Sequence, residues 1–466
     1  MHMPLLRNGT SDSTCYEDSS DKGHLSVYQC VRITIKNFLP VYISLLLDVG
    51  AYAVVYYFMA QYSGENYYVG GMGIAWVTNN FILRSYVLGF GNSLSTLLSQ
   101  AYGAKQYQYL ADTVNSARMI FSICLLPIFC FLWFFKDILL MIGQPEKVAN
   151  EAGVFIRISM FGFIFHLHYD IYRKFLNSIT KSRTYSWFCY INFPLTFSCW
   201  WLLIKYLDLK TIGGALTVTL NNLINLILAV IVVNYFKIGT NILKWPDRKM
   251  LENWCELFKL GLPTYLLQVF TVVSTETVTL MTGYVSVEVL VANVALINIY
   301  YLISLPGLAL QTIASSLIGN KIGEGNLQGA RNMIKATVII GVSAIILGQI
   351  VFYLVSLQFT NSEMLIIYPI TSLALVTYCL SMLLVTILIG LGLQKSTMFF
   401  NIFSYVIFGI PISCYLTFHI GWIYYGPWLG LTIATTFNCC YFYNLIQKND
   451  LQKIIENSRS RYEKII

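Results

Sequence analysis

The sequence predicts an all-α polytopic membrane protein with twelve transmembrane helices in two pseudo-symmetric six-helix bundles. Three observations lead there. Charged residues make up 11% of the 466 and hydrophobic types 56%, whereas a soluble protein carries roughly a quarter charged residues. The apolar residues come in long blocks, and about 20 of them cross a hydrocarbon core of roughly 30 Å as a helix. Lipid admits only helices and closed barrels, and these blocks are too long for barrel strands. Finally, the two halves of the chain echo each other at an offset of about 214 to 223 residues.

Residues 1–30 are polar, include Asp12, Glu17, Asp18 and Asp21, and have no apolar core. They read as a disordered cytosolic tail, neither a signal peptide nor a span, in which the sequon at Asn8 has no force. The N-lobe follows at 31–238, with helices expected over 35–62, 70–101, 113–135, 150–173, 184–206 and 212–236. After a cytosolic linker at 239–255 comes the C-lobe at 256–446, with helices over 256–283, 287–319, 333–357, 363–391, 396–418 and 424–446. Residues 447–466 read as a second cytosolic tail.

Orientation follows from Lys and Arg, which are retained on the cytoplasmic side. Of the 30 basic residues, Lys136, Lys147, Lys205 and Lys210 fall on the opposite side, and Arg84 and Arg157 lie within spans. The rest flank the tails and even-to-odd loops, including Arg173, Lys174, Lys181 and Arg183 after helix 4. Both termini are therefore placed in the cytosol. The formal charge of +8 is accounted for by this asymmetry without nucleic acid. Eleven cysteines are scattered with no C-x-x-C pair, which marks them as small packing residues.

The internal echo is specific. Leu39 and Pro40 match Leu262 and Pro263, and "SQAYGAKQ" from Ser99 matches "GNKIGEGN" from Gly319. Lys181 and Ser182 match Lys395 and Ser396, Pro194 matches Pro411, and Gly214 with Asn222 matches Gly430 with Asn438. Six spans per half is an even number, so the repeats run parallel. That predicts two bundles about an axis normal to the membrane, a cavity between them, and alternating access by rocking.

A carboxylate in mid-bilayer costs several kcal/mol unless paired or hydrated, so it is a functional candidate by default. Two sit well inside the expected spans, Glu276 in "VVSTETVTLMTG" and Asp48 eight residues beyond Pro40. Glu276 could take a proton at one face and release it when a cationic substrate arrives, with Ser274, Thr275, Thr277 and Thr279 as hydrogen-bond donors or sodium ligands. Its alternative is a protonated structural glutamate. Asp48, facing Tyr52, Tyr56 and Tyr57, is either an N-lobe cation site or the partner of Arg84.

Asn222, Asn438 and Asn401 suit helix packing or substrate contact in a cavity. Tyr52, Tyr56 and Tyr300 could grip a flat cation through their rings, and Gln100 and Asn320 are expected to cap helices 2 and 8. His166 and His168 point about 200° apart on a helix and cannot share a metal ion; with Asp170 and Arg173 they form a polar cluster at the cytosolic end. No nucleotide loop, nucleophile elbow or zinc motif is present, so no catalytic or metal site is assigned and the expected energy source is an ion gradient.

Four segments resemble the multidrug and toxic compound extrusion (MATE) family: "TLLSQAYGAKQY" from Thr96, "IGQPEKVANEAG" from Ile142, "ASSLIGNKIGEGN" from Ala314, and Asn401 followed by Ile410, Pro411 and "GPWLGLTIA". The resemblance runs from about Lys36 to Asn444 and has the tone of the eukaryotic branch. It implies a monomeric exporter, not an enzyme, of organic cationic or amphipathic compounds in exchange for protons or sodium, without a cofactor, in the plasma membrane or a vacuolar or vesicular one. It also matches Glu276 to the family's helix 7 glutamate. The sequence departs at helix 10, where Met382 stands for a carboxylate, at Thr271 for a second helix 7 carboxylate, and in helix 1, where the bacterial aspartate falls nearer Val55. An exporter of organic anions or lipid-linked substrates, or a non-transporting relic of the fold, are the competing readings.

Overall fold

The computed structural model describes residues 25–62, 65–235 and 254–463, and leaves aside the side chains of 52–57, 60, 66, 185, 235, 287 and 461–463. Most of the expected N-terminal tail and linker lie outside these residues. Twelve long helices follow in the expected order. In the N-lobe they are α1 (Val27–Tyr62), α2 (66–103), α3 (Tyr107–Trp133), α4 (Glu146–Ser178), α5 (Ser182–Tyr206) and α6 (Lys210–Tyr235). In the C-lobe they are α7 (Trp254–Val285), α8 (Val287–Gly323), α9 (Leu327–Ser356), α10 (Ser362–Leu391), α11 (Gln394–His419) and α12 (Gly426–Lys448). Where a tail was expected, α13 (Leu451–Glu463) adds a further helix. Its Leu451, Ile454, Ile455 and Ser458 share one face at helical spacing, and that face gives it something to pack.

Ten of the twelve are by themselves long and apolar enough to cross a membrane; α2 and α12 are not among them. The second half of α2 buries Asn92, Ser93, Ser95, Thr96, Ser99 and Gln100, which lowers its hydropathy while placing those groups inside protein. By contrast α9 exposes Ile346, Leu347, Ile350, Val351 and Leu354, a stripe that only lipid can cover.

Side-chain caps start three of the C-lobe helices, α8, α9 and α10. Ser286 accepts from Val289 N–H, Asn326 from Gly329 N–H, and Asn361 from Glu363 and Met364 N–H, satisfying donors that a helix leaves open. Pro40 and Pro263 sit inside α1 and α7, tolerated in membrane helices because neighbours re-satisfy the freed carbonyl.

The duplication is visible in the packing. Within the N-lobe α1 packs on α5, α2 on α4 and α4 on α6; within the C-lobe α7 packs on α11, α8 on α10 and α10 on α12. The turns repeat bond for bond. Lys105 and Gly325 both have positive φ, at 59° and 71°. Gln106 N–H donates to Ala101 O at 2.9 Å and Asn326 N–H to Lys321 O at 3.1 Å.

The lobes meet at one end, where α2 packs on α7 and α8, and α1 on α8 and α9. Small residues four apart let the backbones approach. A Cβ on Gly103 would overlap the carbonyl of Asn320, one on Gly323 the carbonyl of Gln100, and one on Gly319 the hydroxyl of Ser99. The contact is reciprocal about the repeat. Across it Thr96 Oγ1 donates to Ile389 O at 2.8 Å, Gln394 Nε2 to Thr96 Oγ1 at 2.7 Å, and Asn332 Nδ2 to Leu25 O at 2.7 Å. Gln100 and Asn320 are not caps as expected. Asn320 Nδ2 donates to Ser178 O at 3.1 Å and Gln100 accepts from Ser458 at 3.3 Å, because each side chain faces the other lobe where the helices cross.

Candidate functional site

Glu276 lies two turns from the end of α7 and is half-buried. Among the described residues no hydrogen bond or ion pair holds its carboxylate. The neighbouring hydroxyls expected to do so are engaged elsewhere. Ser274 Oγ donates to Thr271 O at 2.8 Å, Thr275 Oγ1 to Val272 O at 2.9 Å and Thr277 Oγ1 to Val273 O at 2.7 Å, the local back-bonding that hydroxyls adopt inside helices. Thr279 is half-buried on the same stretch.

A polar ladder stands beside the glutamate. Thr275 Oγ1 is 2.8 Å from the hydroxyl of Tyr301 on α8, and Tyr301 is close enough to Glu276 to feel its charge. Tyr405 on α11 lies beside Ser274 and Asn438, and Ser404 Oγ donates to Asn438 Oδ1 at 2.7 Å. The C-lobe site is thus one carboxylate against phenol and hydroxyl groups, without a bonded basic partner.

Several expected cavity residues are placed inside the lobes instead. Asn438, Asn222 and Asn401 are 0%, 2% and 3% exposed; Asn222 lies beside His166 and Asn438 joins α12 to α11. A span asparagine buried between helices does better bonded to its neighbour than facing a cleft. Tyr300 packs against Tyr378 and Trp428, with ring centroids at 5.2 and 5.7 Å. Adjacent helical residues point about 100° apart, so Tyr301, not Tyr300, faces the glutamate. The side chains of Tyr52 and Tyr56 lie outside the described ones.

The N-lobe holds a different arrangement. Asp48 on α1 faces the charges of Arg173 on α4 and Arg84 on α2 and lies near the Cys189 thiol. Arg84 ends a π-helical turn, Asn79–Arg84, that shifts the register of α2 and often marks a functional position. The group expected at the cytosolic end of helix 4 is buried, because α4 continues to Ser178. Asp170, Arg173 and Lys174 are 1%, 6% and 1% exposed. Arg173 is ion-paired to Asp170, and Lys174 Nζ donates to Asn92 Oδ1 at 2.8 Å. Gly91 leaves room for this pair, since a Cβ there would overlap Asp170. His166 turns toward Asn222, and His168 lies 3.2 Å from Ser122 Oγ.

Asp170 and Lys174 could have been found from the i, i+4 spacing of opposite charges on one helix face. Tyr301, Tyr378 and Tyr405 had no such signal among 33 tyrosines.

Comparison with known proteins places this architecture. The sequence profile described as MatE matches residues 40–201 and 263–416, one stretch in each lobe. Protein DETOXIFICATION 12 of Arabidopsis thaliana is 28% identical over 368 residues, covering 74% of this chain and 74% of its own. Protein DETOXIFICATION 9 of the same plant is 26% identical over 404 residues, covering 80% of each. Among solved structures, the eukaryotic MATE transporter AtDTX14 superposes with a TM-score of 0.84 at 21% identity, over 93% of this chain and 99% of that one. The Vibrio cholerae MATE transporter VcmN in its bent form does so at 0.79 and 15%, over 93% and 98%. With the profile matching most of both halves, the chain belongs to the MatE family of multidrug and toxic compound extrusion transporters.

Proposed function

We propose that this transporter is a monomeric secondary antiporter that exports organic cationic or amphipathic compounds in exchange for protons, through rocking-bundle alternating access. Both termini then lie in the cytosol, and the joined end of the lobes is the cytosolic end. One observation carries the reading: Glu276 is a half-buried carboxylate with no ion pair among the described residues. An unpaired carboxylate in low dielectric is costly as an anion, so it gains most from a proton or a cationic substrate. Only one fits at a time, and that competition is the exchange. Thr275, Thr279 and Tyr301 orient the bound cation. Departure from the family pattern at Met382 leaves Glu276 to do this alone.

The test is exchange of a fluorescent organic cation in proteoliposomes under imposed proton and then sodium gradients. Glu276→Gln should abolish proton-driven exchange at unchanged expression and unfolding temperature. Undiminished transport in that variant would sink the mechanism.

A second reading, export of organic anions, draws on Arg84, Arg173 and Lys174 in the N-lobe, which outnumber Asp48 and Asp170. A fluorescent organic anion run in the same vesicles separates the two. Anion exchange that survives Glu276→Gln but not Arg84→Gln would favour it.

A further inference from the structure

The helix α13 continues the C-lobe beyond α12 and folds back over the end where the lobes meet. It packs on α8 and α9. Ile455, 2% exposed, enters the same core cluster as Leu97, Leu98 and Ala101 of α2 and Leu317 and Ile318 of α8. Ser458, 3% exposed, donates to Gln100 Oε1 of the N-lobe at 3.3 Å. One residue on, the Arg459 guanidinium lies against Gly325 in the C-lobe turn after α8, so closely that a Cβ there would overlap it. Lys453, Glu456 and Asn457 point outward. Consecutive residues of one short helix thus grip both members of the repeated pair of turns, Gln100 beside one and Gly325 within the other.

We propose that α13 is a latch that holds the two lobes together at this seam, and that the cleft opens at this end only when α13 lifts from Gln100. A helix tied to one lobe by the backbone and by packing on α8 and α9, and to the other by the Ser458–Gln100 hydrogen bond, adds stability to the closed arrangement alone. Any rocking that separates Gly103 from Asn320 must also break Ser458 from Gln100. The latch biases which face the cleft opens to, independently of what is carried.

Amide hydrogen exchange of the full chain in nanodiscs tests this without a substrate, read on residues 96–103 and 316–323. In Ile455→Ala with Ser458→Ala these segments should exchange faster, on the order of tenfold, as expected for a shifted two-state population. In Gln100→Cys with Ser458→Cys, a disulfide confirmed by mass spectrometry should slow them by a similar factor relative to the reduced protein. Equal exchange in the cross-linked and reduced forms overturns the latch, as does failure of the pair to cross-link. Should the double alanine variant not fold, the cysteine pair decides alone; should it fold with unaltered exchange, the proposal is equally lost.

Discussion

The two lobes share a frame and differ in what they enclose. Pro40 and Pro263, the turns at Lys105 and Gly325, and the paired packing of α4 on α6 and α10 on α12 are common to both. Yet the N-lobe buries Asp170, Arg173 and Lys174 with Asp48 and Arg84 nearby, while the C-lobe sets Glu276 against hydroxyls and rings. Small residues and turns fix how the helices cross, and they leave interior positions free to diverge. In the N-lobe Asp170 and Arg173 compensate each other and Lys174 is held by Asn92. Glu276 in the C-lobe has no hydrogen bond or ion pair among the described residues.

The comparison breaks most visibly at its two carboxylates. Removing one partner of a buried ion pair leaves the other uncompensated and costs about 3–5 kcal/mol. Asp170→Ala should therefore lower the thermal unfolding temperature in detergent sharply or prevent recovery of folded protein. Glu276→Ala, with no partner to strand, should change stability by less than about 1 kcal/mol. Equal effects would mean that both lobes use their carboxylates structurally.

The seam offers a smaller and more symmetric test. Gly103→Ala and Gly323→Ala each push a methyl into a carbonyl of the opposite lobe, and overpacking of this kind costs about 1–3 kcal/mol. Similar losses in chemical denaturation are expected from both; a loss from only one would show that the crossing is not reciprocal.

The smallest expected effect separates the turns. Lys105 occupies the left-handed region at φ 59°, where a side chain is strained by about 1 kcal/mol, so Lys105→Gly should stabilise by a few tenths up to about 1 kcal/mol. Gly325→Ala, at φ 71° and against Arg459, should destabilise. Matching signs in the two unfolding curves would dissolve the equivalence.

The twelve helices were legible because apolar runs of this length have no other stable form in lipid, and the repeat was legible in its glycines, prolines and turn residues. The depth of α4 was not. Arg173 and Lys174 after an apolar block look like a loop until Asp170, one turn earlier, is seen to neutralise them inside the lobe. Glu276 stood out by its cost alone, but its ladder did not, because choosing Tyr301 over Tyr300 turns on the direction of one residue on a helix. The helix α13 hid in a polar composition, its apolar face amounting to Leu451, Ile454 and Ile455.

The crossing of α2 and α8 says something about ancestry. Gly103 meets Asn320 and Gly323 meets Gln100, so each half offers the other the same patch it receives. Identical subunits related by a twofold axis make contacts of that kind. Two copies of a single six-helix protein, inserted in the same direction, could have closed over a cleft before the genes were joined. Fusion would then have freed each half to change separately, one gathering buried acids and bases together and the other keeping Glu276 among hydroxyls and rings.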